Sequence, residues 1–246
     1  MGFNDYNALR ELCARINCSN AYLGILTREL ASLGVSELLS EGPMEFLGVR
    51  LLGKGQNSYV FICKLGNINN EYACKIRRPD ASRPELAREG LLMRLANSVG
   101  VGPHVINYTS NIIVMELIKG VPMSEYVWST SPSELRSVIR DLLLQCRRLD
   151  SIGLMHNELS RVEDHIIITE DKPYIIDFES ATVGSRGSNV SQIINALIMG
   201  KSQVQAKIRS VLNPEADLNE LRGLVRDYKV RRDDESFLRI LSSLGL

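Results

Sequence analysis

The chain has 246 residues, 44% of them hydrophobic, which is enough to bury a core either as one larger domain or as two small lobes. Lysine plus arginine and aspartate plus glutamate number 29 each, so no overall field draws the chain toward nucleic acid or an anionic membrane. No run of about 18 uncharged apolar residues occurs, and Met1 to Arg15 mixes both signs of charge without an apolar stretch, so neither a membrane span nor a secretion signal is expected. The five cysteines, Cys13, Cys18, Cys63, Cys74 and Cys146, are odd in number and lack CxxC spacing; they read as reduced core residues of a cytoplasmic protein.

Apolar residues recur at helical spacing from about residue 5 to 40, through Leu9, Leu12, Cys13 and Ile16 and then Tyr22, Ile25, Leu26, Leu30 and Leu33, with Gly34 as a stop. From Phe46 the pattern changes to short apolar runs: Phe46 to Leu52, Tyr59 to Leu65, Glu71 to Ile76, Val105 to Tyr108 and Asn111 to Leu117. Gly53 to Ser58 and Gly66 to Asn70 supply the residues that tight antiparallel connections use at positive φ. A five-stranded antiparallel sheet is expected, interrupted by one helix from Arg83 or Pro84 to Asn97 that Gly100 to Pro103 ends. After Gly120, Ser131-Pro132-Ser133-Glu134 is a capping box with proline at the first helical position. The apolar face from Leu135 to Leu149 continues that helix. His156 to Asp177 reads as a loop, a short strand pair (His165 to Thr169 and Tyr174 to Ile176) and a turn, with helix from Asn189 to Leu246. The organisation expected is an N-terminal helical extension over 1–45, a sheet-bearing lobe over 46–119 and a mainly helical lobe over 120–246.

Gly53 and Gly55 stand in a strand-to-strand turn with the β-branched Val60 after it. Glycines let backbone N–H groups approach phosphate, and Val60 can cover a flat base, although a hairpin turn without a ligand explains the glycines equally well. Without a Gly-Lys-Ser/Thr ending the segment is not a Walker A loop, and with a strand following it is not a dinucleotide fingerprint. Lys75 interrupts the apolar strand Tyr72-Ala73-Cys74-Lys75-Ile76 and needs an anion, for which Glu89 on the following helix is the chosen partner; a solvated pair is the bland alternative. Glu158, two residues after His156, and Asp177, at the far end of an apolar hairpin, are two carboxylates that such a hairpin brings toward one point. Phosphoryl transfer needs one carboxylate to orient the attacking hydroxyl and another to bind metal.

Taken in order, Gly53-x-Gly55-x-x-Ser58-x-Val60, Ala73-x-Lys75, a helical Glu89, the strand Ile112 to Gly120, His156-Asn157-Glu158-Leu159-Ser160 and Asp177-Phe178-Glu179 resemble the protein-kinase-like superfamily over about residues 46 to 200. The resemblance implies an α+β, two-lobed kinase-like fold, ATP as cofactor with magnesium or manganese, and a role for each matching residue. Lys75 would hold phosphates, positioned by Glu89; Met115 would be the gatekeeper; the backbone of Glu116 and Ile118 would pair with adenine. Gly53, Gly55, Val60, Ala73 and Ile167 would line the nucleotide, Asp177 would bind metal, and Glu158 would serve as the base.

The chain departs from the usual pattern in places. Glu158 stands where aspartate is usual, and His165 where a metal-binding asparagine is usual, with Asp164 and Glu163 as alternatives in a loop about two residues longer. Imidazole suits manganese better than magnesium. No Ala-Pro-Glu motif or long activation segment follows Asp177. In this, and in Leu159-Ser160, the chain is similar to reduced RIO-type kinases, the small kinase of the KEOPS complex and small archaeal serine/threonine kinases. The resemblance implies a protein substrate and a ribosome-assembly or tRNA-modification complex. Two other readings are a small-molecule kinase of the aminoglycoside or choline type and a nucleotide-binding pseudokinase module. Against the former, only about 36 residues separate Gly120 from His156. The N-terminal helices either pack on the sheet or bind a partner, and the basic residues Arg222, Arg226, Lys229, Arg231 and Arg232, interleaved with acids, read as a solvated face rather than a nucleic-acid signal.

Overall fold

A computed structural model describes residues 5–66, 70–170, 172–212 and 217–246. The chain divides into two compact units, residues 1–94 with 103–117, and residues 95–102 with 118–246. The fold is α+β, with an antiparallel sheet in the first unit and mainly helix in the second. Among the described residues no helix is long and apolar enough to cross a membrane. All five cysteines are free thiols, and each except Cys18 is buried.

The first unit opens with α1 (Asn7–Arg15) and α2 (Asn20–Ser32). Ser19 caps α2 by accepting from the Tyr22 N–H, and Gly34 ends it at φ +75°, the stop its sequence position suggests. β1 (Val35–Leu39) follows directly and pairs antiparallel with the later central strand, so the helical spacing read as far as residue 40 is corrected here to a strand. A register shift between Val35 and Glu37 explains the misreading. The bulge buries Val35 and Leu38, three residues apart, and so imitates a helical interval where a regular strand would alternate.

β2 (Met44–Phe46) and β3 (Val49–Leu51) form a separate hairpin where one strand was expected. Its turn places Leu47 at φ +50° and Gly48 at φ +72°. Arg15 of α1 donates to the Leu47 carbonyl and lies so close to Gly48 that a Cβ there would sit 2.1 Å from its guanidinium. A left-handed leucine is uncommon, so the local sequence does not announce this turn.

β4 (Gly53–Lys54), β5 (Ser58–Leu65) and β6 (Glu71–Arg77) lead to α3 (Ala87–Asn97), β7 (Val105–Tyr108) and β8 (Ile112–Glu116). The sheet has six strands rather than five, in the order β1-β5-β6-β8-β7 with β4 paired to β5. The connection expected over Gly66 to Asn70 lies largely outside the described residues.

α3 starts at Ala87, later than Arg83 or Pro84, because the preceding backbone is already committed. The Arg83 carbonyl accepts from Arg77 Nε at 2.7 Å and the Leu86 N–H donates to the Ser110 carbonyl at 2.7 Å. The apolar faces of α1 and α2 are covered by this sheet: Leu9, Leu12, Leu26 and Leu30 share one core with Phe61 and Val114. Polar ties reinforce the docking. Glu29 of α2 accepts from the Asn111 N–H at 3.0 Å and its side-chain amide at 2.8 Å, and Tyr22 donates to the Arg77 carbonyl at 2.9 Å.

The second unit contains β9 (Val121–Pro122), α4 (Met123–Ser129) and α5 (Pro132–Ser151), then β10 (Leu154–Met155), α6 (Val162–His165), β11 (Ile166–Thr169), β12 (Lys172–Ile175) and β13 (Thr182–Val183). It ends with α7 (Asn189–Ile194), a π-helical turn over Asn195–Met199, α8 (Gln203–Val211), α9 (Leu218–Arg231) and α10 (Asp234–Ser243). Ser131 and Glu134 form the capping box on α5, and nearly the whole apolar face from Leu135 to Leu149 is buried. β9 and β12 flank β11 in a three-stranded sheet, and β10 pairs with β13. Gly120 is required where it stands, since a Cβ would lie 2.2 Å from the Ile168 carbonyl oxygen.

Docking of α1 on the sheet makes Leu12, fully buried, part of the first unit's core. Leu12→Ala is expected to cost about 3 kcal/mol, and Ile25→Ala, at an exposed position of α2, under about 1 kcal/mol. Urea denaturation checks this. Equal small effects would mean that these helices form no part of the cooperative unit.

Candidate active site

In the first unit the turn from Gly53 to Ser58 is closed by Gly53 pairing with Val60 and by the Gly55 N–H donating to the Ser58 carbonyl at 2.9 Å. Neither Gly53 nor Gly55 has positive φ, contrary to the turn chemistry expected for them, and a Cβ on Gly53 would meet nothing within 4 Å. Local geometry therefore gives no reason for glycine at position 53. The turn is braced from outside: Arg78 Nη1 donates to the Gly55 carbonyl at 3.1 Å, and buried Asn57 accepts from Ser82 Oγ at 3.0 Å and the Arg83 N–H at 3.3 Å.

Lys75 lies opposite Val60 on β5 and Ile113 on β8, and its ammonium donates to Glu89 Oε1 at 2.7 Å. The two residues are 5% and 4% exposed, so the solvated alternative does not hold. Ala73 pairs with Met115, and the Glu116 N–H donates to the His104 carbonyl at 2.8 Å while its Oε2 accepts from the His104 N–H at 3.1 Å. Close to Glu89, Gly90 lets α3 approach β7: a Cβ there would be 2.5 Å from the Tyr108 ring.

In the second unit the acidic loop is organised by His156, which is fully buried. Its Nε2 is 2.9 Å from the Ile176 carbonyl, and its Nδ1 accepts from the Glu158 N–H at 3.4 Å, which fixes Nε2 as the protonated nitrogen. The ring sits edge-on to Phe178 at 5.0 Å and His165 at 5.2 Å. The Ile176 N–H donates to the His165 carbonyl at 3.0 Å. Ile176, the residue preceding Asp177, is thus held through both its N–H and its carbonyl, and Asp177 itself takes φ +64°. Phe178 is fully buried, and Gly102 makes room for it, since a Cβ would lie 3.0 Å from the ring.

Glu158 is half-buried and ion-paired to Arg161, with its other oxygen 4.0 Å from His165 Nε2. His165 is buried with Nδ1 unbonded, while Asp164 is exposed beside Arg161 Nε at 3.8 Å and Glu163 is also exposed. Among the described residues none of these three joins a group of three potential metal ligands, whereas Asp177 and Glu179 offer carboxylate oxygens within 4.8 Å of one another. In the sequence Glu179 stands only as the ending of its triplet. Asp177 is left-handed and lies outside any strand, so the i, i+2 spacing alone does not announce that the two carboxylates converge. Ile167, on β11, pairs with Pro122 of β9 and Tyr174 of β12, and Ile118, half-buried, precedes β9. Three basic residues in and just after α9 are engaged: Arg222 with Asn219 at 2.8 Å, Arg231 with Asp233 and Glu235 at 2.8 Å each, and Arg232 with the Ser185 and Gly187 carbonyls.

Comparison with known proteins agrees with this architecture. The chain is similar to the streptomycin-ATP-APH(2")-IIa ternary complex, with a TM-score of 0.53 at 16% identity over 91% of this chain and 95% of that one. It is also similar to the ADP-bound aminoglycoside phosphotransferase APH(2'')-Ib, with a TM-score of 0.52 at 16% identity over 90% and 96%. At such identities the likeness speaks for the fold, which is protein-kinase-like.

In sequence, the chain is 32% identical to an uncharacterised protein of Methanocaldococcus jannaschii over 47% of this chain and 98% of that protein. It is 24% identical to the KEOPS complex subunit Bud32 of Pyrococcus abyssi over 61% of this chain and 76% of that one. The RIO domain family model matches residues 69–191. The chain belongs to the RIO domain family, a protein-kinase-like family, and ATP-dependent phosphotransfer is the class of activity that this membership supports.

Burial pushes the His156 imidazole down to about 4 from an ordinary 6.5, against a smaller upward pull from its bond to the Ile176 carbonyl. The unfolded chain therefore binds more protons between these values, so stability is lost as pH falls from 6.5 toward 4. Between pH 7 and 5 this group alone should cost about 2 kcal/mol. Urea unfolding at both pH values should show the wild type losing that much more than His156→Gln; equal losses in the two proteins would count against the assignment.

Proposed function

We propose that the protein is a serine/threonine protein kinase of reduced type, acting in the cytoplasm on a protein substrate with ATP and magnesium or manganese. The observation that carries this is the buried Lys75–Glu89 ion pair. Burying two charges costs several kcal/mol, and such a pair is weak evidence for stability. Its place on the strand that faces Val60 instead suits a lysine held ready for phosphate.

In this reading Lys75 binds the α- and β-phosphates, Glu89 fixes its ammonium, and Gly53 and Gly55 admit phosphate close to the backbone. Val60, Ala73, Met115, Ile167 and the backbone of Glu116 and Ile118 take the adenine. Asp177 and Glu179 are hard oxygen donors that fit magnesium or manganese, and they would hold the ion in preference to His165. The metal supplies charge neutralisation for the transferring phosphoryl group. Glu158 accepts the proton of the attacking hydroxyl, and Arg161 must yield part of its hold on that carboxylate when the acceptor arrives. Bud32 is named as a KEOPS complex subunit, and a place in a tRNA-modification assembly is the corresponding reading for this chain; a ribosome-assembly role is the other that its family resemblance suggests.

A small-molecule acceptor is the second reading, motivated by the fold shared with aminoglycoside phosphotransferases. It is disfavoured by the modest segment between Gly120 and His156, which holds two short strands, α4 and α5.

Purified protein incubated with labelled ATP and magnesium or manganese should transfer label to itself or to a generic protein substrate. Asp177→Asn should lower that rate about a hundredfold or more. Full activity in Asp177→Asn would sink the assignment. Transfer to a panel of metabolites and none to protein would favour the second reading, and nucleotide-induced thermal stabilisation without any turnover would identify a pseudokinase.

A further inference from the structure

We infer that Asp150, which no motif singles out, is a positioning residue for the loop carrying Glu158, acting through the side chain of Asn189. Its catalytic consequence rests on the phosphotransferase reading; its structural consequence does not.

Asp150 is 5% exposed and lies in the last turn of α5, the end of a helix where an anion is disfavoured. Its contacts are neutral donors, and among the described residues it makes no ion pair. Oδ1 accepts from the Asn189 N–H at 2.7 Å and from Asn189 Nδ2 at 2.8 Å. Oδ2 accepts from Ser188 Oγ at 2.8 Å, Tyr228 Oη at 3.0 Å and, at 3.4 Å, the Val190 N–H. A buried carboxylate with no counter-ion is costly beside an apolar residue of the same size, so stability alone gives no reason for it.

What the carboxylate achieves is the orientation of one amide. Asn189 Nδ2 donates both to Asp150 and to the Leu154 carbonyl, at 2.8 Å each, which leaves Oδ1 to accept from the His156 N–H at 2.9 Å. A flipped amide would set its oxygen against two acceptors and its NH2 against a donor. Asn189 therefore grips the chain on either side of Met155, at the entrance to the acidic loop. From there the connection continues by contacts already described: the His156 ring to the Ile176 carbonyl, one residue before Asp177, and to the Glu158 N–H. The two oxygens of Asp150 divide the work. Oδ1 serves the route to the loop through Asn189, and Oδ2 serves helix packing through Ser188 and Tyr228.

The division makes the inference testable with Asp150→Asn, Asn189→Ala and Tyr228→Phe, each followed by thermal melting, hydrogen exchange of the His156 N–H, and kcat and KM for ATP. Asp150→Asn and Asn189→Ala should speed exchange of that N–H and lower kcat on the order of tenfold or more, with KM for ATP within about twofold. Tyr228→Phe should lower Tm by a comparable amount and leave exchange at His156 and kcat within about twofold of wild type. The inference is overturned if kcat follows Tm alike in all three single variants, or if the His156 N–H exchanges no faster in Asp150→Asn and Asn189→Ala. A wild type that transfers no phosphate would remove the phosphotransferase reading, while exchange at His156 would still decide the positioning role.

Discussion

A backbone that leaves regular secondary structure beneath a protein surface must find partners for its N–H and C=O groups elsewhere, and the second unit depends on how it meets that constraint. The loops from His156 to Arg161 and from Ile176 to Ala181 have few ladder bonds of their own. Side chains substitute: His156 for the Ile176 carbonyl, Asn157 for the Ser180 carbonyl at 2.8 Å, Gln192 for the Asn157 carbonyl at 3.2 Å, and Asn189 for both Leu154 and His156. Each substitution ties one loop to another or to a helix. The left-handed conformation of Asn157 is held through its side chain and its carbonyl, and that of Asp177 follows an Ile176 fixed by His156.

The first unit solves a different problem, that of keeping a lysine ammonium in an apolar sheet. Glu89 meets Lys75 from the first turn of α3, a helix that starts late because Arg77 and Ser110 capture the backbone ahead of it. Gly90, one residue on, lets the helix lie against Tyr108. Even Arg77 is shared, since its carbonyl takes the Tyr22 hydroxyl of α2. The N-terminal helices and the buried ion pair are thus linked through one strand, and the helices belong to the structure that holds Lys75 in place.

Much of this was legible in the sequence where the signal is local. The capping box at Ser131, the stop at Gly34 and the apolar strand around Lys75 are carried by residues within a few positions of one another, and Glu158 and Asp177 each stand in a short motif of their own. What could not be read depends on distant partners. β1 hides because a bulge removes its alternation, and the β2–β3 turn hides because Arg15, far away in sequence, stabilises a left-handed Leu47. Asp150 reads as an ordinary polar residue near a helix end; only the fold brings Asn189 and Tyr228 to it. Glu179 stands in the sequence only as the last residue of its triplet, and its nearness to Asp177 depends on the path of the chain between them.

His165 itself illustrates why a position in a motif does not fix a role. A metal-binding group needs a lone pair directed at an ion shared with other donors, whereas this imidazole is packed edge-on against His156 and faces Arg161 and Glu158 through Nε2. Its backbone carbonyl, by contrast, bears directly on the site by fixing the Ile176 N–H. A main-chain function of that kind constrains the path of the chain more than the identity of the side chain. Histidine can therefore occupy the position provided its ring is accommodated in the buried layer with His156 and Phe178, while the oxygen donors suited to a hard cation stand at Asp177 and Glu179.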